Sequence, residues 1–239
     1  MPEVLKNRGI SADALKTVAV LCMLADHIGL VFLRDLQTQQ LFFRVIYYAM
    51  RAVGRVTFPI MIFMLIEGLL HTGNVLRYIG RLAVLALVSE IPFDLLFNGT
   101  MWDPSRQNVV FTLTICLTVA AVIRKIYSSD AIHGEWRIIV SGAVTAAGCL
   151  TAYFLKCEYG YMAVIAAVLM YAFRKNRITE YCIGSAVFVI RNLFQLFSFL
   201  AVPLIYMYNG EKGHGWKYTF YVFYPAHLLL LFIIKNLII

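Results

Sequence analysis

The chain has 239 residues, of which 61% are hydrophobic and 14% charged, and its formal net charge is +8. A soluble domain carries about 25% charged residues, so soluble, disordered, collagen-like and coiled-coil classes are excluded together. Nor does the positive charge point to nucleic acid. The cations fall in short clusters between apolar runs, the pattern of loops facing anionic lipid headgroups.

Membrane spans are predicted in chain order at 14–33, 53–70, 79–97, 107–126, 137–155, 161–173, 179–190, 193–208 and 219–237. That is about nine, with a range of eight to ten because the sixth and seventh are short. Lipid offers backbone N–H and C=O groups no partners, so each span is read as a helix. The alternation that a β-barrel requires is absent. No linker, repeat or low-complexity stretch divides the chain. The expected fold is an all-α, polytopic integral membrane bundle, a single domain over 1–239.

Placing the N-terminus inside puts Lys6, Arg8, Lys16, Arg77, Arg81, Arg124, Lys125, Arg137, Arg174, Lys175, Arg177, Lys212 and Lys217 on the cytoplasmic side, 13 of the 21 Lys and Arg. The positive-inside rule favours this orientation, and the expected location is a bacterial cytoplasmic membrane. The five cysteines (Cys22, Cys116, Cys149, Cys157 and Cys182) include no C-x-x-C pair, so neither a disulfide framework nor a metal site is expected. The first apolar run shows no cleavage motif of a secretory leader.

Ionisable residues inside a bilayer cost roughly 2.5–3.5 kcal/mol each on insertion scales and therefore mark function or a wet cavity. Here they crowd the first half of the chain: Asp26, His27, Arg51, Arg55, Glu67, His71, Arg81, Glu90 and Asp94. Asp26 and His27 point about 100° apart on the first helix and can line one cavity. A buried His beside carboxylates suits a general base. Arg51 with Arg55, Arg77 with Arg81, and Glu67 with His71 each stand four apart on one helical face, so a carboxylate is placed to orient an imidazole in the last pair. Glu90 and Asp94 bracket Pro92. A purely structural network linking Arg55 and Arg81 with Glu67 and Glu90 is an equal reading of those charges. Later in the chain, His227 sits in the last span, and Arg191 and Asn192 break the apolar sequence. No phosphate-binding loop, dinucleotide turn, nucleophile elbow or H-E-x-x-H motif is present.

Six blocks in order resemble the TraX family. The first runs from Leu15 to Gly29 and contains Ala25-Asp26-His27-Ile28. Next come Gly54-Arg55-Val56-Thr57-Phe58-Pro59 and Glu67-Gly68-Leu69-Leu70-His71-Thr72. Arg81 with Ser89-Glu90-Ile91-Pro92-Phe93-Asp94, Asn108-Val109-Val110-Phe111-Thr112-Leu113, and Phe220 through Leu228 complete the series. The resemblance spans residues 15 to 228. TraX proteins belong to conjugative systems and are known for acetylating the N-terminus of F-type pilin. The family is similar to the wider acyltransferase-3 group, whose first helix carries an Arg and a His with ten residues between them. Lys16 and His27 stand at that spacing, with Lys in place of Arg. A Lys lacks the bidentate fork that suits a diphosphate.

The resemblance implies transfer of an acetyl or other acyl group from acyl-CoA, with acetyl-CoA the expected donor, and it makes His27 the expected base. Asp26 or Glu67 would stabilise the imidazolium, with His71 and Asn108 also in the catalytic set. Asn108, Arg51 or Arg55 would support the oxyanion. Lys16, Arg51, Arg55, Arg77, Arg81 and Arg124 form the expected CoA-binding set, since Arg suits phosphate. The acceptor would be a peptide amine, a small amine or a sugar. A proton-coupled transporter or flippase is the alternative, because the same residue types build proton relays; a non-catalytic scaffold is a third reading.

Overall fold

The computed structural model describes residues 9–213, 215 and 217–238. Lys6 and Arg8 lie outside these residues, as does the side chain of Lys217. The described chain is helical. Helix α1 (Ala12–Ile28) runs on through a π-helical turn at Gly29–Leu33, and then follow α2 (Leu41–Gly54), α3 (Thr57–His71) and α4 (Val75–Phe97). After them come α5 (Val109–Ser128), α6 (Glu135–Phe154), α7 (Gly160–Phe173) and α8 (Arg177–Arg191). A 3-10 segment (Leu193–Ala201) leads into the short α9 (Val202–Met207), and α10 (Lys217–Ile238) closes the chain. The only extended pairings among the described residues are isolated bridges at Ile10–Tyr208 and Gln107–Cys157.

Five stretches are long and apolar enough to cross a membrane: Ala12–Leu33, Leu41–His71, Val109–Ser128, Glu135–Phe154 and Thr219–Ile238. Gly160–Phe173 and Leu193–Met207 are apolar but shorter. Helix α4 has the length, yet any eighteen-residue stretch of it includes at least three of Arg77, Arg81, Glu90 and Asp94. The expected nine spans are thus matched by helices in nearly every place, with five of them qualifying on length and hydropathy.

Two predicted elements are corrected. Helix α2 falls between the first two predicted spans, where no span was read, and it carries Arg44 and Arg51 within an apolar run whose Leu41, Phe42 and Val45 form one exposed apolar face. The stretch 193–208 is not one α-helix. Pro203 stands in the first turn of α9, where its missing N–H and fixed φ are tolerated, so the regular ladder begins only there.

Helix starts are set by polar caps that an apolar run cannot reveal. Asn74, Asn108 and Asn176 accept from the backbone N–H of Arg77, Val110 and Ile178 at 2.8, 2.9 and 3.1 Å. Helix α3 is apolar nearly all round and lies at the centre, against α1, α5, α7 and α8. Side-chain and backbone contacts define the two ends of the bundle. At the N-terminal end, Ile10 donates to Met207 O at 2.9 Å and Arg124 of α5 donates to Leu69 O at the foot of α3. At the other end, Phe97 of α4 packs on His27, and His27 meets His227 of α10.

Candidate functional site

The His27 end encloses a cavity of about 1160 Å³. One face of α1 and its extension lines it, through Val20, Met23, Asp26, His27, Leu30 and Arg34. These positions recur at helical spacing, so the wall is a single stripe about 21 Å long at 1.5 Å per residue. Below His27 the wall is apolar, with Met61, Leu82, Leu85 and Phe220 facing Val20 and Met23. Level with His27 and above it, Arg51, Arg55, Arg106, Lys156, Glu158, Tyr159, Arg191 and Asn192 join the lining.

Asp26 is fixed by two cations. Arg51 donates to Oδ2 at 2.7 Å, and Arg55 donates to Oδ1 at 3.1 Å and to Oδ2 at 3.2 Å. Gly54 makes this possible, since a Cβ there would collide with the Asp26 carboxylate. The small residue lets α2 close on α1. Arg55 lies one residue past the end of α2 rather than within the same helix as Arg51, but both reach the same carboxylate.

His27 takes a different partner from the one expected. Its Nδ1 lies 2.8 Å from His227 Nε2, and the two rings are parallel with centroids 5.1 Å apart. His227 Nδ1 lies 2.9 Å from the Phe223 carbonyl oxygen, which accepts only. Hydrogen-bond logic then assigns the protons of the neutral pair. His227 Nδ1–H donates to Phe223, so His227 Nε2 is an acceptor, and His27 Nδ1–H donates to it. The unprotonated nitrogen of His27 is therefore Nε2, on a side chain that lines the cavity. His227 is only 4% exposed. Phe97 stands edge-on to His27, and Phe223 stacks on His227.

Two loops clip together beside this pair. The Gln107 N–H donates to the Lys156 carbonyl and the Glu158 N–H donates to the Gln107 carbonyl, each at 3.2 Å, and Arg106 donates to Glu158 Oε1 at 2.6 Å. Lys156 and Tyr159 both adopt positive φ, 54° and 62°, which costs non-glycine residues energy that the surroundings must hold. Tyr159 is held by stacking on Phe58 with a centroid separation of 3.8 Å.

Of the residues singled out by sequence, the structure brings Asp26, His27, Arg51 and Arg55 together. Glu67 and His71 stand at the N-terminal end. Tyr208 donates to Glu67 Oε2 at 3.3 Å, and His71 Nδ1 lies 2.8 Å from the Glu67 backbone oxygen, so the carboxylate–imidazole pair does not form. Asn108 is fully occupied as a cap. Its amide donates to Glu90 and to Ala86 O, its oxygen accepts from Val110 N, and it does not line the cavity. Lys16 lies 3.8 Å from Asp13 and over the Phe220 ring, Arg81 lies near the Tyr78 ring, Arg124 donates to Leu69 O, and Arg77 is exposed. None of these four lines the cavity.

The network linking Arg55 and Arg81 with Glu67 and Glu90 is also absent, because Arg55 is taken by Asp26 and Glu90 by Asn108. Asp26 does not orient His27; both its oxygens face Arg51 and Arg55. The charged groups of the site are not confined to the first half of the chain either. Arg106, Lys156 and Glu158 come from loops, where a charge carries no signal in a hydropathy reading. Arg191, Asn192 and His227 did interrupt apolar runs, and that interruption was the signal.

A helical membrane bundle with a paired histidine in a cationic cavity is the class that this fold and site define. Residues 11–235 match the family described as TraX protein, and the chain belongs to that family. It is also 29% identical, over 252 aligned residues covering 95% of this chain and 96% of the relative, to "Probable fimbrial assembly protein FimC, serogroup H1" of Dichelobacter nodosus. No solved structure matches the chain.

Proposed function

We propose that the protein is a membrane-embedded acyltransferase that moves an acetyl or other acyl group from acyl-CoA to an amine or hydroxyl, with His27 as general base. The observation that carries this reading is the hydrogen-bonded series His27–His227–Phe223 O, which leaves His27 Nε2 as the free base nitrogen in the cavity. Membership of the TraX family and the likeness to a fimbrial assembly protein are compatible with acylation of an assembly subunit or another surface component.

In the proposed step, Nε2 takes the proton of the acceptor N–H or O–H as that atom attacks the thioester carbonyl. The tetrahedral oxyanion is met by Arg51 and Arg55, whose orientation Asp26 fixes. The C–S bond then breaks, and the CoA thiolate leaves with the proton held by His27. The net change is acyl-CoA plus acceptor giving acylated acceptor plus CoA. With the N-terminus cytoplasmic, in a bacterial inner membrane, the donor arrives from the end where Arg77 is exposed.

The test is CoA release from acetyl-CoA by detergent-purified protein supplied with an amine acceptor, with His27→Ala measured beside it. Loss of general-base catalysis predicts a fall of about 10²- to 10⁴-fold in the variant, with acetyl-CoA binding retained. A folded, monodisperse sample that does not bind acetyl-CoA would sink the proposal. Uptake by sealed vesicles that follows a pH gradient would then assign the charged cavity to transport.

A further inference from the structure

The cavity's cations stand on the wrong side for topology. Eight of the 21 Lys and Arg occupy the end of the bundle away from the N-terminus: Arg34, Arg44, Arg51, Arg55, Arg106, Lys156, Arg191 and Lys235. All of them but Arg44 and Lys235 line the cavity. The positive-inside rule accounts for cations at the N-terminal end; it gives no reason for six to converge at the other. Only two acids, Asp26 and Glu158, line the same space. They are already engaged, Asp26 by Arg51 and Arg55 and Glu158 by Arg106.

Arg34 and Arg191 differ from those three. Among the described residues, no hydrogen bond, ion pair or aromatic ring holds either guanidinium, and both side chains are exposed at the mouth. Arg34 follows the π-turn that extends α1, and Arg191 ends α8. Lys156 stands with them, on the strained loop. Asp103 is an electrostatic neighbour of Lys156, but the Arg34 and Arg191 guanidiniums have no anion hydrogen-bonded to them among the described residues, and a bound anion would match their planar forks.

We propose that this mouth binds a phosphate or carboxylate on the acyl acceptor, held chiefly by Arg34 and Arg191. The inference rests on the acyltransferase reading above and names its acceptor class, an anionic amine or hydroxyl compound. Arg34 is seven residues beyond His27, about 10 Å along the helix at 1.5 Å per residue. The nucleophile and the anionic group of a fitting acceptor are therefore separated by several bonds. Since CoA reaches the protein from the cytoplasm, donor and acceptor meet His27 from opposite ends, the donor through the apolar part of the cavity and the acceptor through the charged mouth.

Two measurements test this in detergent free of anionic lipid. The first compares CoA release with 6-aminohexanoate and with hexylamine at saturating acetyl-CoA. Wild type should prefer the carboxylate-bearing amine by tenfold or more in kcat/KM, a discrimination of the size that one well-placed charged contact supplies (about 1.4 kcal/mol per tenfold). In R34Q/R191Q that preference should collapse while the KM for acetyl-CoA stays unchanged. No preference in wild type overturns the proposal. So does a raised KM for acetyl-CoA in the double variant, which would make the mouth the site of the donor's phosphates.

The second measurement is titration with inorganic pyrophosphate, which needs no turnover. Salt-sensitive binding that weakens tenfold or more in R34Q/R191Q supports the anion site even in a protein that releases no CoA. Equal binding by both proteins, or none, overturns it. Both substituted side chains are exposed, so the variant should fold. Binding that is abolished by anionic phospholipid nanodiscs and retained in phosphatidylcholine nanodiscs would assign the mouth to headgroups and also overturn the proposal.

Discussion

The two ends of the bundle hold similar residues and use them differently. At the N-terminal end, Glu67, His71, Arg124 and Tyr208 satisfy one another or nearby carbonyls. At the other end, Asp26, Arg51 and Arg55 also pair, but around an open cavity, and His27 is left with a nitrogen to spare. Identical i, i+4 spacing therefore yields a fastening in one place and a cavity wall in the other. What differs is the neighbour. Glycine at position 54 lets two helices converge on a carboxylate, whereas His71 bonds back to the carbonyl one turn before it, as a helix-terminal side chain does.

The comparison breaks most sharply at Gly54. In Gly54→Val, added atoms meet the Asp26 carboxylate, and the Arg51–Asp26–Arg55 cluster must shift beside His27. A displacement of about 1 Å at a reacting centre costs roughly 100-fold. CoA release should fall by that order, while Gly80→Ala, whose Cβ meets nothing within 4 Å, should match wild type. Comparable activity in the two variants would show that the cluster has no part in the reaction.

A smaller effect is expected at His227, which hydrogen-bonds His27 but does not line the cavity. His227→Phe removes the acceptor that fixes the His27 tautomer, and outer partners of this kind are worth about 10- to 100-fold. His227→Gln restores an acceptor oxygen and should recover part of the rate. The pH profile should shift in the Phe variant and return toward wild type in the Gln variant. Equal loss in both, with an unchanged profile, would make His227 a packing residue.

Legibility in the sequence followed the same division. Hydropathy located the helices because lipid-facing apolar runs are long and uninterrupted, and it found Asp26 and His27 because charge inside such a run stands out. It missed α2, whose cations interrupt the run. It also placed Glu67 and His71 beside the site, although they stand at the far end of α3. Spacing reports which residues share a face, not which end of a bundle they occupy. The histidine pair is separated by 200 positions, so no local pattern contains it. Arg106 and Glu158 were silent because charges are ordinary in loops.

Arg124 tests whether the N-terminal end is structural. Arg124→Gln loses a charge-assisted hydrogen bond to the Leu69 carbonyl, which is worth about 1.5–3 kcal/mol. The Tm should fall, with kcat and the KM for acetyl-CoA unchanged below the transition. An unchanged Tm with a raised KM would return Arg124 to donor binding.

The smallest change expected has the opposite sign. Glu180 of α8 is 0% exposed, and among the described residues neither of its carboxyl oxygens has a hydrogen-bond partner. It lies at the structural end, near Glu67, Arg174 and Arg177. A buried polar group without a partner carries a desolvation penalty of about 1–3 kcal/mol, and an apolar side chain of the same shape avoids it. Glu180→Met keeps the length and should raise the Tm by an amount corresponding to about 1 kcal/mol, with CoA release intact. A lower Tm would mean that Arg174 and Arg177 hold the carboxylate through water, which would make the N-terminal end as dependent on paired charge as the cavity is.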